Sequence, residues 1–335
     1  MKRFQPLLTF CFALASFSTL LSAELTINGI VVDEFDPNRN EYKHYLPFDH
    51  HGMLTVKLGN QRYSVDIFPT AASFDFTIGE ERKKYTIAVE RLPKLDLFLC
   101  IGQSNMAGRG QMEEAQGDLE AIPNVYLFTP SGNWVPASNP LNRYSTVRKE
   151  IEMQQISPAY SFARKIAAQT NRPIGLVVNA RGGTSIESWT KGHRDGLYEA
   201  ALERALDAKK WGEYKAILWH QGESNLGRFA AYPEQLRRMV SDFRNDLGGN
   251  NLFFVAGELG RWRKDAQGND ANQPFNDMIR GIAAFLDNST WISTEGLTPI
   301  RGNINDPHFD RASLLILGER YADAVLEHVY NTERR

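Results

Sequence analysis

Residues 95–108 read Leu-Asp-Leu-Phe-Leu-Cys-Ile-Gly-Gln-Ser-Asn-Met-Ala-Gly, and this stretch decides the fold. Its first seven residues form an apolar run with the length of a buried strand, and a glycine ends it. Similar apolar runs follow at 125–128, 174–178, 216–219, 252–256 and 291–293. Helical patterns lie between or after them, at 160–169, 197–211, 233–247, 274–286 and 312–329. Strands that alternate with longer helices predict a parallel sheet with crossover helices, and hence one α/β/α domain over residues 94–335.

The pattern is different before residue 94. Short alternating runs, broken by turn residues, lie at 25–27, 53–58, 63–67 and 85–89. Alternation with a period of two at this spacing predicts a small β-sandwich over residues 24–93. The segment with Phe35-Asp36-Pro37, Tyr42 and Leu46-Pro47 resembles immunoglobulin-like or cadherin-like modules. We therefore expect a small all-β immunoglobulin-like module ahead of the larger domain.

The first 23 residues have the pattern of a secretory signal peptide. Lys2 and Arg3 precede an apolar run from Leu7 to Leu21, and small residues follow up to Ala23. The apolar run of about 15 residues is shorter than the roughly 20 that a membrane-spanning helix needs. We expect cleavage after Ala23 and export to the periplasm or the exterior, with no membrane attachment afterwards. A retained membrane anchor is the alternative.

Charge and cysteine content narrow the classes of function. The chain holds 38 Lys and Arg against 40 Asp and Glu, a formal net charge of -2 at pH 7. Proteins that bind nucleic acid usually carry a basic excess, so no nucleic-acid partner is expected. Cys11 falls in the signal segment, which leaves Cys100 without a partner for an intramolecular disulfide. Its place in an apolar run predicts a buried thiol.

Ser104 comes three residues after Ile101, the last residue of the apolar run that begins at Leu95. Reactive groups in parallel sheets gather where strands end and helices begin. A serine at that place can act as a nucleophile, and its backbone N–H can face a developing oxyanion. The alternative is an ordinary helix cap. The segment lacks the Gly-x-Ser-x-Gly elbow of the common α/β-hydrolases.

Two further segments follow predicted strands and carry hydrogen-bond donors. In the first, Gly182 and Gly183 allow a close backbone approach with free N–H groups, as an oxyanion hole requires. In the second, residues 219–225 read Trp-His-Gln-Gly-Glu-Ser-Asn, so that Gln221 and Asn225 offer side-chain amides. His220 and Glu223 in the same segment are either metal ligands or supporting residues. We favour support, because no second histidine or cysteine pair accompanies them.

A histidine lies in the segment Asn305-Asp306-Pro307-His308-Phe309-Asp310, ahead of the last predicted helix. Nucleophilic catalysis by a serine needs an imidazole that accepts its proton and a group that orients the imidazole. His308 is therefore the candidate base. Asp310 has a second interpretation as the cap of the last helix.

Together, the four segments resemble the blocks of the SGNH hydrolase superfamily. The Gly-Gln-Ser-Asn-Met, His-Gln-Gly-Glu-Ser-Asn and late His-Phe matches are similar to sialate O-acetylesterases and to the acetylxylan esterases of carbohydrate esterase family six. The resemblance spans roughly residues 95–329. It implies a three-layer α/β/α, flavodoxin-like domain with a parallel sheet.

The resemblance also implies roles for individual residues. Ser104 would be the nucleophile and an oxyanion donor, Gly183 the second donor with Gly182 as the alternative, and either Gln221 or Asn225 the third. His308 would be the base. The family usually has an aspartate three residues before this histidine, where this chain has Asn305. Asp306 is the preferred orienting group, and Asp310 or a backbone carbonyl are the alternatives.

The expected activity is that of a serine carbohydrate esterase that removes O-acetyl groups from a glycan, either acetylated xylan or O-acetylated sialic acid. Such a Ser-His-Asp mechanism needs no metal or organic cofactor. No obligate protein partner is indicated. An esterase or lipase that acts on small acyl esters, and a non-catalytic glycan-binding protein, are the alternatives.

Overall fold

The computed structural model describes residues 24–66, 71–78, 81–249 and 251–331. The chain divides into two compact units, one that ends at Leu92 and one that begins at Pro93. The predicted signal peptide, with Cys11 and the cleavage point after Ala23, lies outside the described residues, as does Ile67. None of the helices within the described ranges combines the length and apolar character that a membrane crossing requires.

The N-terminal unit consists of two sheets. Its strands are β1 (Leu25–Ile27), β2 (Ile30–Val31), β3 (Glu41–Leu46), β4 (Met53–Leu58), β5 (Gln61–Asp66), β6 (Ala71–Ile78) and β7 (Glu81–Arg91). One sheet has the order β2-β1-β4-β5 and the other the order β3-β7-β6, in which β3 and β7 are parallel. Val56 of the first sheet and Phe76 of the second belong to the same hydrophobic cluster. The strands predicted at 25–27 and 53–58 are confirmed, whereas the immunoglobulin-like character stays a prediction.

The C-terminal unit is built on a seven-stranded sheet. Its strands are β8 (Leu95–Gly102), β9 (Val125–Phe128), β10 (Trp134–Pro136), β11 (Ile174–Val178), β12 (Gly212–His220), β13 (Phe253–Gly257) and β14 (Ser289–Ile292). They lie in the order β10-β9-β11-β8-β12-β13-β14, and every pair is parallel except β10 with β9. All eight residues of β8 are buried, because this central strand has a neighbour on each side and is covered on both faces.

Helices cover both faces of this sheet. They are α1 (Ser104–Ala107), α2 (Pro158–Thr170), α3 (Leu197–Lys209), α4 (Tyr232–Leu247), α5 (Gln273–Arg280) and α6 (Arg311–Val325). On one face, Phe98 of β8 packs edge-on against Phe162 of α2, with ring centroids 4.9 Å apart, and α2 contacts α6. Leu97 points to the opposite face. There α3 contacts both β8 and α4.

Most of the predicted elements are present, with corrections at their ends. The helix predicted at 274–286 stops at Arg280, and a short 3-10 turn from Ile282 to Ala284 follows Gly281. The strand predicted at 216–219 begins at Gly212, with an irregular register between Tyr214 and Ala216. The strand β10 was not predicted from the sequence, because a segment of three residues is too short to show an alternating pattern. Cys100 is a free, fully buried thiol, as predicted.

Candidate active site

The four polar segments meet at one edge of the seven-stranded sheet. Ser104 follows β8, the glycine pair 182–183 follows β11, and Gln221 follows β12. These three strands are neighbours in the order β11-β8-β12 and are parallel, so their carboxyl ends lie at the same edge. His308 reaches that edge from the loop before α6, because its ring contacts Ser104. The topology therefore places one serine, one histidine and a glycine loop around a common point.

A close approach of two strands fixes Ser104 at the start of α1. Gly102 ends β8 with a φ of +136°, and a Cβ atom on it would lie 2.3 Å from the carbonyl oxygen of His220. Only glycine allows that backbone conformation and that contact. The N–H of Gln103 donates to the same carbonyl at 2.9 Å. The resulting turn leaves Ser104 6% exposed.

Ser104, His308 and Asp306 form a continuous chain of hydrogen bonds. Ser104 Oγ lies 2.9 Å from His308 Nε2, although the two residues are 204 positions apart in the sequence. His308 Nδ1 lies 2.6 Å from Asp306 Oδ1. A neutral ring that donates from Nδ1 to the carboxylate keeps Nε2 as the acceptor of the serine O–H. This order of groups is the one that activates a serine as a nucleophile.

The surroundings of His308 favour its neutral form. Burial of the ring lowers the pKa of His308 from its ordinary value, the negative charge of Asp306 opposes this, and the positive charge of Arg109 adds to it. A general base must be unprotonated to accept a proton. The site is therefore suited to proton transfer at neutral pH.

Of the orienting groups considered from the sequence, Asp306 is the one that lies against His308. Its Oδ1 also accepts a hydrogen bond from the backbone N–H of His308 at 2.9 Å. The indole of Trp262 donates to the Asp306 carbonyl at 2.8 Å and holds this part of the loop. Asp310 instead caps α6, where its Oδ1 accepts from Ser313 N at 2.8 Å.

The glycine loop lies directly beside Ser104. A Cβ atom on Gly182 would be 3.3 Å from Ser104 Cβ and 2.8 Å from Arg109 Nη2, and Gly183 has a φ of +76°. The N–H of Arg181 donates to the Gly102 carbonyl at 3.0 Å, which ties this loop to the end of β8. In the described part of the chain, the N–H groups of Ser104, Gly182 and Gly183 have no hydrogen-bond acceptor. They are thus available to an oxyanion.

The two side-chain amides considered as a third donor are buried and connect loops. Gln221 Nε2 has three acceptors, Gln103 Oε1 at 3.2 Å, Thr184 O at 3.0 Å and Asn225 Oδ1 at 2.8 Å. Since an amide carries two hydrogens, Gln221 has none left for a substrate in this arrangement. Asn225 Nδ2 donates to Glu187 Oε2 at 3.0 Å. The oxyanion role of either amide stays a prediction.

Asn105 is a site residue whose role the sequence interpretation missed. Its Nδ2 donates to Glu223 Oε1 at 2.7 Å and to the Pro307 carbonyl at 3.2 Å. Its Oδ1 accepts from the N–H of Phe309 at 3.3 Å. Asn105 therefore holds the chain on both sides of His308. Its position directly after the candidate nucleophile was the only signal in the sequence, and it did not identify the distant partners.

Glu223 is the carboxylate that accepts the hydrogen bond from Asn105. Its Oε2 atom is buried and has no hydrogen-bond partner in the described chain. Burial raises the pKa of Glu223 to about 7, against a smaller opposing effect of its hydrogen bonds, among them the one from Asn105. Its contact with Asn105 is that of a supporting residue, the role favoured from the sequence.

The imidazole of His220 makes its hydrogen bond to Tyr321 and none to Ser104, His308 or Asp306. Its Nδ1 is 3.1 Å from the hydroxyl of Tyr321, and burial lowers its pKa to about 3. That hydroxyl donates to the Trp219 carbonyl at 2.6 Å, so the neutral ring donates to it in turn. Among the described residues, no three His, Cys, Asp or Glu side chains are grouped to hold a metal ion.

The family model and the relative that match this chain are both described as carbohydrate esterases. A family model described as carbohydrate esterase, sialic acid-specific acetylesterase, matches residues 94–327, which include every site residue described above. A probable carbohydrate esterase of Arabidopsis thaliana is 31% identical over 183 residues, which cover 49% of this chain and 68% of the relative.

Two solved structures share the fold. The structure of the same Arabidopsis protein has a TM-score of 0.60 at 24% identity and covers 71% of this chain and all of that one. A carbohydrate acetylesterase from Xanthomonas citri has a TM-score of 0.55 at 20% identity and covers 83% of this chain and 61% of that one. At these identities the likeness concerns the fold, a mixed α/β domain with a largely parallel sheet.

Proposed function

Because the chain belongs to the sialic acid-specific acetylesterase family of carbohydrate esterases, and is thus a carboxylic ester hydrolase, we propose that it removes O-acetyl groups from a glycan with Ser104 as the nucleophile. The observation that carries this proposal is the 2.9 Å contact between Ser104 Oγ and His308 Nε2, with Asp306 2.6 Å from the other ring nitrogen. Those distances suit proton transfer from the serine.

The proposed reaction has two steps. Ser104 Oγ attacks the acetyl carbonyl while His308 accepts its proton, and the imidazolium then gives that proton to the departing sugar oxygen. This leaves an acetyl group on Ser104. A water molecule, deprotonated by His308, attacks the acetyl carbonyl and releases acetate, and the proton returns to Ser104. Asp306 stabilises the positive charge that His308 carries in between.

The negative charge on the carbonyl oxygen would be met by backbone N–H groups of Ser104 and of Gly183 or Gly182. These groups lie at the carboxyl ends of adjacent parallel strands and have no acceptor in the described chain. Each such donor lowers the barrier by about 3 kcal/mol. No step in this scheme calls for a metal or an organic cofactor.

Several finer points extend the same proposal. The larger unit would have the three-layer, flavodoxin-like arrangement of an SGNH hydrolase, and residues 24–93 would form an immunoglobulin-like accessory module. The enzyme would be exported to the periplasm or secreted after cleavage at Ala23. The substrate would be acetylated xylan or O-acetylated sialic acid, and the relatives named as carbohydrate esterases support a sugar ester over a small acyl ester.

Hydrolysis of a chromogenic acetate ester tests the proposal. Ser104→Ala should reduce kcat by a factor on the order of 10⁴ or more, because nothing replaces the nucleophile. Ser241→Ala, on the partly exposed side of α4, is the matched control and should keep full activity. Equal activity of the Ser104 variant and the wild type would refute the mechanism. No turnover by the wild type, together with tight glycan binding, would favour a binding protein.

A further inference from the structure

A positively charged pocket opens beside the glycine loop of the site. It has a volume of about 490 Å³ and is lined by Arg148, Lys149, Glu150, Met153 and Arg181. Lys149 Nζ would be 3.5 Å from a Cβ atom on Gly183, the proposed oxyanion donor. The pocket therefore adjoins the place where the acetyl carbonyl would lie.

Backbone carbonyl groups hold the two guanidinium groups of this pocket in place. Arg148 donates from Nε to the Arg143 carbonyl at 2.8 Å and from Nη1 to the Lys149 carbonyl at 3.0 Å. Arg181 donates from Nη1 to the Val147 carbonyl at 2.7 Å. A guanidinium has five N–H donors, so both side chains keep donors to spare in fixed positions. Such planar groups match the two oxygens of a carboxylate.

These positive charges are not neutralised locally. Among the described residues, Arg148, Lys149 and Arg181 make no ion pair with a carboxylate, and Glu150 is the acidic residue of the lining. Arg109, which also abuts Gly182, donates to the carbonyls of Gly108 and Met153 at 2.6 and 2.8 Å. The chain as a whole has a net charge of -2. An excess of cations at one partly buried place attracts an anion.

We infer that Arg148, Lys149 and Arg181 form a subsite for the carboxylate of an acidic sugar unit, a uronic or sialic acid that carries the acetyl ester or lies next to it. The inference rests on the proposed function and adds a selectivity to it. A neutral sugar would leave the three cations without a partner when the substrate displaces water from them. An acidic sugar would exchange that water for charge-assisted hydrogen bonds, which are stronger than hydrogen bonds between neutral groups.

A pair of substrates that differ in one charge tests the inference. Acetate release is measured from an O-acetylated glucuronic acid glycoside and from its primary carboxamide, which has the same size and no charge. The same pair is made from O-acetylated sialic acid, and the pair with the larger ratio identifies the acid. We expect kcat/KM to be at least about tenfold higher for the carboxylate, and this ratio to fall between about 0.05 M and 0.5 M NaCl.

Substitution then assigns the effect to the pocket. Lys149→Gln should reduce the carboxylate-to-carboxamide ratio about tenfold, and Lys149→Arg should restore most of it. Lys210→Gln, an exposed lysine after α3, is the control and should leave the ratio unchanged. Equal hydrolysis of acid and amide, or an unchanged ratio in Lys149→Gln, would overturn the subsite while the esterase function stands. Failure to hydrolyse any of the acetyl esters would instead overturn the proposed function.

Discussion

Asp306 contacts His308 twice, through the ring at 2.6 Å and through the backbone N–H at 2.9 Å. The first contact fixes the tautomer of the imidazole, and the second shapes the turn over Pro307. The negative charge at this position also raises the pKa of His308 against the effect of burial. One side chain thus sets the orientation of the His308 imidazole and its affinity for a proton.

Asp306→Asn should lower both the rate and the pKa of the base. The amide lacks the negative charge that raises the pKa of His308, so the acidic limb of the kcat/KM profile should move to lower pH. The rate at neutral pH should fall by a factor on the order of 10²–10⁴, because the tautomer and the imidazolium lose their support. A pH–rate profile with the chromogenic ester measures both effects.

Asp310→Asn is the matched control for that experiment. Asp310 caps α6 and does not contact the imidazole, so its variant should keep the pH profile of the wild type and most of its stability, because asparagine caps a helix about as well as aspartate. If the Asp306 variant kept the wild-type rate and acidic limb, a backbone carbonyl or another group would have to orient His308.

The candidate reacting residues were more predictable from the sequence than the residues that support them. Ser104 and His308 could be identified because a strand end and a histidine before the last helix are visible in the sequence. Asn105 could not, because its partners Glu223 and Pro307 are 118 and 202 positions away. Periodicity and spacing report on neighbours along the chain, whereas a loop-to-loop hydrogen bond exists only after folding.

At the scale of elements, the loop after β12 and the loop before α6 are joined through the first turn of α1. Glu223, Asn105 and the backbone around His308 form this connection. Such a link limits how far His308 can move from Ser104, and in enzymes small displacements of reacting groups cost large factors in rate. The buried carboxylate within it also makes the stability depend on pH.

Glu223→Gln should stabilise the protein at alkaline pH. The folded-state pKa of Glu223 is about 7 against an ordinary 4.5, so the folded state binds this proton more tightly than the unfolded state does. The carboxyl therefore destabilises the fold increasingly as pH rises from 4.5 to 7, and fully above that. Relative to wild type, the variant should gain about 2 kcal/mol in free energy of unfolding between pH 5 and pH 8.

Denaturant unfolding at the two pH values measures this gain. Glu319→Gln, at an exposed position of α6, should show no comparable change with pH. A gain that is the same at pH 5 and pH 8 would mean that Glu223 is ionised in the folded protein throughout this range.

Elements with strong patterns were predicted, and weakly patterned ones were not. The parallel strands from β8 to β13 appear as apolar runs because both of their faces are covered. The first half of β12 contains Glu213 and Lys215, which hid the start of that strand. The helix was predicted to continue past Gly281 because the apolar period continues there. The backbone nevertheless leaves the helix at that glycine.

At the scale of the whole molecule, every residue of the candidate site belongs to the unit that begins at Pro93. That unit has its own sheet, helices and hydrophobic cluster, as an independently folding domain does. The change from period-two alternation to apolar strands and helices near residue 93 was visible in the sequence. The sequence did not indicate what the N-terminal unit binds, since its pattern predicts strands and identifies no reactive or ligand-binding residues.

A protein that starts at Pro93 should fold and hydrolyse the chromogenic ester with a kcat/KM of the same order of magnitude as the full chain. Circular dichroism and the esterase assay measure this, with the Ser104→Ala version of the same fragment as the control. A soluble, folded fragment without activity would show that the N-terminal unit contributes to the site.

The contact between Gly102 and the His220 carbonyl has a consequence for how such enzymes diversify. A position where a single added carbon would lie 2.3 Å from a neighbouring strand admits no other amino acid. The turn that carries Ser104 therefore tolerates no substitution at Gly102. New preferences for one ester over another must arise in the outer loops, which can change in length and composition without disturbing that junction.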